Sequence, residues 1–254
     1  MRLQLIRHAT LLLEYAGVHF LIDPMLSEAE ANPPIPMAPN TRRNPLMELP
    51  FSLDDMRLPD YVVVTHLHPD HWDQAAQAFL PTSLPVLCQA GDETTIRSAG
   101  FQTVTPIEPA TTIGNIQIMR TGGQHGTGEI GQKMGKVSGF VYKAENEPTL
   151  YVAGDTIWCE EVQQAIEEHK PDVIIVNAGG AKFVVGDHIT MNEQDVSSCC
   201  RFAPKATIVA VHMDTINHCL VTREDLRSHL EQEKLLGQVM IPEDGEWIDT
   251  KKII

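Results

Sequence analysis

The sequence predicts an α/β fold, and three observations carry that prediction. Short runs rich in Leu, Ile and Val alternate with stretches of helical periodicity, most regularly from residue 149 onward. Both halves of the chain run from consecutive strands into strand–helix alternation, a duplicated architecture with no short-period repeat. In each half, apolar strands also deliver isolated polar residues at their carboxyl ends: His66, Asp155, Asn177 and His212. Ligands in α/β sheets bind outside that edge, so function is expected there.

Taken in order, LQLI, TLLLEY and VHFLID read as strands of an opening hairpin about the turn Ala16-Gly17, ending at Asp23-Pro24. Residues 24–59 then carry eight of the 17 prolines (Pro24, Pro33, Pro34, Pro36, Pro39, Pro45, Pro50, Pro59) and little periodicity. Such a stretch is either a functional loop or lid, or a loose surface insertion. YVVVT reads as a buried strand, and PDHWDQAAQAFL as a helix with Pro69 near its first turn, where a missing N–H costs little. LPVLCQ, FQTVTPI, IQIMR and VSGFVYKA are predicted strands, and DETTIRSAG a short helix ending at Gly100. From TLYVAGD onward, the strands DVIIV, ATIVAVH and QVMI alternate with the helices CEEVQQAIEEH, NEQDVSSCCRFA and REDLRSHLEQEKLL. Asn192 and Thr222 are expected helix caps, with Asp195 and Asp225 three positions on.

With 43% apolar and 21% charged residues and no low-complexity tract, the chain is an ordinary globular one. Its 254 residues suit a single domain over 1–254, with the proline-rich insertion at about 24–59. A formal charge of −15 repels polyanions, so no nucleic-acid partner is expected. Two bound divalent cations would add up to about +4 at one spot, which keeps small anionic substrates admissible. No run approaches the roughly 18 apolar residues of a membrane span, and charges break the amino terminus before a secretion-type apolar core forms. The five cysteines are odd in number and lack CxxC spacing, as expected of reduced thiols. A cytoplasmic protein is therefore expected, and a homo-oligomer is compatible with it.

The chemistry concentrates in THLHPDHWD, residues 65–73. A divalent metal held by imidazole and carboxylate needs donors converging within about 2.0–2.2 Å of one point. His66 and His68, two apart on an extended segment, leave on the same side, while Asp70 and His71 are expected in the first helical turn. Two offset pairs suit two adjacent metals better than one. His125 among the glycines of GGQHGTG, Asp155 beside Gly154, and His212 in VAVHMD are further isolated polar residues where apolar strands end.

These motifs, with the opening RHATLLLEYAGVHFLIDP, resemble the metallo-β-lactamase-fold hydrolase superfamily from His8 to His212. Within it, the HAT opening and DHWD are most similar to the branch of ascorbate-6-phosphate lactonase-like proteins and N-acylphosphatidylethanolamine-hydrolysing phospholipase D. The resemblance implies a four-layer αββα sandwich of the α/β (α+β) class. It also implies that His66, His68 and His125 hold one metal, that Asp70, His71 and His212 hold a second, and that Asp155 bridges them. Asp23 matches the family's first acidic motif and would orient an imidazole through its other nitrogen. Relatives acting on β-lactams often carry cysteine in place of Asp155, and flavo-diiron relatives carry glutamate in place of His68, so neither activity is implied. With only nitrogen and oxygen donors, zinc is the first expectation and manganese the second, iron and nickel being admissible.

The expected activity is dinuclear metal-dependent hydrolysis of an ester, lactone or phosphodiester in a small molecule. Two cations about 3.5–4 Å apart share a water, lower its pKa toward about 7, and leave a bridging hydroxide as nucleophile. Asp70 and Asp155 are expected catalytic residues, Asp155 accepting a proton transiently. His218, just after His212, either donates to an oxyanion or leaving group or is structural. His188 stands between substrate contact and a structural role, and His8 between catalysis and a loop hydrogen bond. Arg42 and Arg43 form a pair suited to carboxylate or phosphate, or are two solvated charges. Trp72 and Trp158 follow expected ligands, with packing their first expectation. Alternatives are a non-catalytic member of the fold that binds metal and a metabolite, and a phospholipase D-like or nucleic-acid-processing hydrolase.

Overall fold

The structure, a computed structural model, describes residues 1–249. Its first half contains β1 (Arg2–Arg7), β2 (Thr10–Tyr15), β3 (Val18–Ile22), β4 (Tyr61–Val64), α1 (Gln74–Phe79), β5 (Val86–Gln89), α2 (Glu93–Ser98) and β6 (Val104–Ile107). The second continues with β7 (Ala110–Ile113), β8 (Ile116–Thr121), α3 (Gly128–Met134), β9 (Gly139–Lys143), β10 (Leu150–Val152), α4 (Glu160–His169) and β11 (Val173–Asn177). It ends with α5 (Glu193–Phe202), β12 (Thr207–Val211), α6 (Arg223–Gln232), β13 (Val239–Met240) and β14 (Trp247–Asp249). Among the described residues these strands form two seven-stranded sheets, ordered β14-β1-β2-β3-β4-β5-β6 and β13-β12-β11-β10-β9-β8-β7. In each sheet antiparallel pairs give way to parallel ones: β3 through β6 in the first, β10 through β13 in the second.

The continuous apolar runs are explained by strands buried on both faces, with successive side chains entering different cores. Leu11, Leu13, Phe20, Ile22, Val63 and Leu87 point between the sheets and meet Phe140, Tyr142, Ile175 and Val209 there. Their neighbours Leu12, Leu21, Val62, Val64, Val86 and Cys88 point outward, into a core shared with Ala76 of α1 and Ile96 of α2. In the second sheet, Tyr151, Ile174, Val176, Ile208 and Ala210 face Val162, Val196 and Leu226 of α4, α5 and α6. The result is the αββα sandwich implied above. No helix among the described residues is long and apolar enough to cross a membrane.

Three short elements escape the pattern of the sequence. β7 is half-exposed and threonine-rich, α3 buries no residue and is flanked by glycines, and β14 exists through antiparallel pairing with β1 at the far end of the chain. One predicted helix also starts late. α1 begins at Gln74, not near Pro69, because the N–H groups of His71 and Trp72 both turn back to the His68 carbonyl (2.9 and 3.0 Å). Asp73 then caps the helix, accepting from Ala76 N–H at 2.7 Å. Asp70 and His71 thus sit in a turn ahead of the helix, correcting the expectation of a helical position. The Asn192 and Thr222 caps form as expected, each accepting from an N–H three residues on.

The insertion is irregular but fastened. Asn217 takes the Ile35 N–H and the Asn44 amide on its own Oδ1 (3.0 and 2.8 Å). Its Nδ2 donates to the Asn40 carbonyl at 2.9 Å, and its backbone N–H to Asn44 Oδ1 at 2.8 Å. From beneath, the buried Arg7 guanidinium donates to the carbonyls of Met25, Ser27 and Met47, burial pushing its pKa down to about 10. Main-chain acceptors compensate the buried charge, and the loop gains a fixed floor.

Candidate metal centre

Six strand ends bring the site together: His8 after β1, Asp23 after β3, His66 after β4, His125 after β8, Asp155 after β10 and His212 after β12. The backbone there is unusual. His8, Asp23 and His212 have φ of 61, 45 and 70°, left-handed values that cost about 1–3 kcal/mol each and persist where surroundings over-determine them. Gly154 (φ 71°) has no alternative, since a Cβ would fall 2.6 Å from the Ser138 carbonyl oxygen.

Two groups of donors result. The ligand-type atoms of His66, His68, His125 and Asp155 lie within 4.8 Å of one another, as do those of His8, Asp70, His71 and His212. Asp155 faces both: its Oδ2 is 3.4 Å from His125 Nε2 and 3.3 Å from His71 Nε2, and its Oδ1 is 3.3 Å from His212 Nε2. Imidazole nitrogens face each other at hydrogen-bond distance, His66 Nε2 to His68 Nδ1 at 3.0 Å and His71 Nε2 to His212 Nε2 at 3.2 Å. His68 Nδ1 faces a second nitrogen as well, His125 Nε2 at 3.3 Å. One proton serves one such pair, so converging lone pairs in this number fit shared cations better than protons.

The outward nitrogens are held so that the inward ones keep their lone pairs. Asp23 accepts from the Thr65 N–H (2.7 Å), the Thr65 hydroxyl (2.7 Å) and His71 Nδ1 (2.8 Å). Because that hydroxyl donates to Asp23, it is left to accept from His66 Nδ1 at 3.0 Å. His125 Nδ1 donates to the Ile189 carbonyl at 2.8 Å, and His212 Nδ1 lies 3.5 Å from Cys219 Sγ. Asn177 donates to Asp155 Oδ1 at 2.6 Å. Burial drives His66, His125 and His8 toward the neutral form, His8 to about 3. Burial opposes charge on Asp155 and Asp70 as well, yet the surrounding imidazoles hold both well below the usual carboxylate range.

All seven expected ligands meet at this edge, and the structure adds His8, whose Nε2 is 3.2 Å from Asp70 Oδ2 and whose ring lies 3.6 Å from that of His212. His218 is buried against Phe183 with Nδ1 unpartnered, and burial lowers its pKa to about 4. His188 is half-buried and turned away to Asp195 at 2.8 Å, while its neighbour Ile189 supports His125. Arg42 and Arg43 are exposed on the insertion, where Arg43 donates to the carbonyls of Glu30 and Ala31. Trp72 packs on Phe101 and Trp158 on Phe202. Sequence reasoning missed the supporting roles of Thr65, Cys219 and Asn217. Only Thr65, a polar residue closing the VVV run, left a readable signal.

Residues 19–213 match the family described as the Beta-lactamase superfamily domain, and the chain belongs to that family, with the metallo-β-lactamase fold. Among its relatives, the UPF0173 protein YddR of Bacillus subtilis (strain 168) is 37% identical over 253 residues, covering 97% of this chain and 98% of that protein. The crystal structure of an isothiocyanate hydrolase from Delia radicum gut bacteria superposes with a TM-score of 0.94 at 37% identity, over 98% of this chain and 99% of the other. A possible metal-dependent hydrolase from Veillonella parvula DSM 2008 superposes equally well, with a TM-score of 0.94, 37% identity and 98% of each chain covered.

Proposed function

We propose that this metal-dependent hydrolase works with two divalent cations on a neutral small molecule bearing an electrophilic carbon, with isothiocyanates as the first substrate class. His66, His68 and His125 would hold one cation, Asp70, His71 and His212 the other, with Asp155 between the two. The observation that carries the dinuclear reading is the Asp155 carboxylate facing imidazoles of both groups at 3.3–3.4 Å. The donors are nitrogen and oxygen, which suits zinc first and manganese second. When bound, the cations supply ionised water at neutral pH and polarise the attacked group.

The chain's own residues provide orientation and proton handling. To Asp155, held by Asn177, we assign the proton released by the attacking water. To His218, kept neutral by burial and unpartnered at Nδ1, we assign the N–H given to the atom that leaves. For an isothiocyanate, the water oxygen attacks the central carbon, the C–N bond breaks, and both water protons end on nitrogen. The products are a primary amine and carbonyl sulfide. Support for this class comes from the 37% identical isothiocyanate hydrolase, matched over nearly its whole length. Esters and lactones, attacked at carbon by the same arrangement, form the second class, and phosphodiesters the third. All five cysteines are free, which suits a reducing, cytoplasmic setting.

The test is a screen of zinc- and manganese-loaded protein against phenethyl isothiocyanate, an aryl acetate, a γ-lactone and a phosphodiester. Amine and carbonyl sulfide released in equal amounts, with the highest kcat/KM, is the expected result. A higher kcat/KM on the phosphodiester overturns the substrate class. Stoichiometric metal binding without turnover of any compound overturns the enzyme reading in favour of a binding protein.

A further inference from the structure

Behind Phe183, whose ring meets that of His218, lies a cavity of about 480 Å³ that the hydrolytic chemistry leaves unused. Its apolar walls come from three separate segments: Met37 of the insertion, Ile130 and Met134 of α3, and Phe183 and Val185 of the loop before α5. Each segment is tied to the centre or to its neighbour. The Lys182 N–H donates to the His218 carbonyl at 2.9 Å, and the Phe183 ring rests against the His218 ring with centroids 5.8 Å apart. α3 starts three residues after His125, with Thr127 as its cap. The Val184 N–H donates to the Met37 carbonyl at 2.8 Å, so insertion and loop form one rim. Gly186 lets Ile130 close in, since a Cβ there would fall 2.3 Å from Ile130 Cδ1.

Met37, Val184 and Val185 are 58, 62 and 54% exposed. Scattered exposed apolar residues need no explanation, but a cluster at the mouth of a cavity marks a binding surface. The charged residues of the lining, Glu129, Lys133 and Asp187, sum to −1 and disfavour an anion.

We propose that this cavity, walled by Met37, Ile130, Met134, Phe183 and Val185 and joined to the metal centre through His218, binds the apolar alkyl or arylalkyl substituent of the substrate. The inference rests on the neutral small-molecule substrate proposed above and deepens it: the cluster sets the bond, and the cavity sets the group attached to it. Affinity then grows with the length of that group, by about fourfold per methylene that enters, the transfer value for a buried CH₂.

The test uses the metal-loaded protein and unreactive n-alkylureas from methyl to hexyl, with Kd measured by calorimetry. Kd is expected to fall stepwise with chain length. Val185→Asp and Met134→Asp should each weaken hexylurea binding at least about tenfold, leaving methylurea binding and metal content unchanged. Val185 is exposed, so that variant tests the cavity without risk to folding. Kd values independent of chain length, or a slope that survives in both variants, overturn the proposal. Because ureas are not turned over, the readout separates the two readings. A slope without isothiocyanate hydrolysis keeps the cavity and rejects the bond, and hydrolysis without a slope does the reverse.

Discussion

Asp23 is the residue on which most of the donor geometry converges. One carboxylate orients His71 directly and His66 through the Thr65 hydroxyl, so it reaches both donor groups from behind. Asp23→Ala should lower metal affinity about 10–100-fold, the usual cost of losing such a support. Competition with a chromophoric chelator measures it, and unchanged affinity would show that the imidazoles are held by packing alone. His188 makes a different kind of contribution. Its hydrogen bond with Asp195 raises its pKa above the ordinary 6.5, so the folded state favours the protonated form. The stability this supplies is fully present below the unfolded value and is lost as pH rises through the raised folded value. His188→Gln should therefore cost under about 1 kcal/mol near pH 5, since the pair is partly exposed, and nothing near pH 9. Urea melts at both pH values decide, and equal losses would remove the charge from the account.

Among the elements, the insertion and the loop after β12 behave as one unit because Asn217 joins them. Its side chain and backbone serve Ile35, Asn40 and Asn44, and the next residue is His218. Asn217→Ala leaves buried partners unpaired, each at a cost of about 1–3 kcal/mol. The expected consequence is faster proteolytic cleavage within residues 24–59 and a lower kcat, with metal content unchanged. Cleavage at the wild-type rate would mean that Arg7 alone holds the segment. The start of α1 has the same local character. A turn closed on the His68 carbonyl, not helix propensity, sets where Asp70 and His71 point, and the Asp73 cap decides where the helix begins.

Across the whole molecule, the metal centre lies where both sheets end, so its occupancy bears on global stability. Seven buried donors, including two carboxylates, repel or compete for protons without a cation and are joined by one. Binding to the folded state alone stabilises by RT ln(1 + [L]/Kd), about 4 kcal/mol at a thousandfold excess over Kd. Chelator-treated protein should melt several degrees lower, and added zinc should restore the transition. A Tm indifferent to metal would indicate that the site is preformed and weakly coupled to folding.

Much of this was legible in residue order. Apolar runs located most of the strands, and HLHPDH, His125, Asp155 and His212 pointed to side chains that the fold gathers into two candidate donor groups, because strand ends and residue spacing are local properties. β14 was not legible because it owes its form to pairing with β1 at the other end of the chain, and β7 and α3 were not because a half-exposed edge strand and a helix that buries no residue leave no apolar pattern to read. The amino-acid sequence by itself determined the fold class, the polar residues offered at the sheet edge and the absence of thiolate donors among them. Only the tertiary structure decided that His8 meets Asp70, that Asp155 faces both donor groups, that Asn217 fastens the insertion, and that Phe183 and Met37 wall one cavity. The reason is physical. Each of these pairings joins residues far apart in the chain, and such contacts exist only once two sheets have packed and brought their edges together.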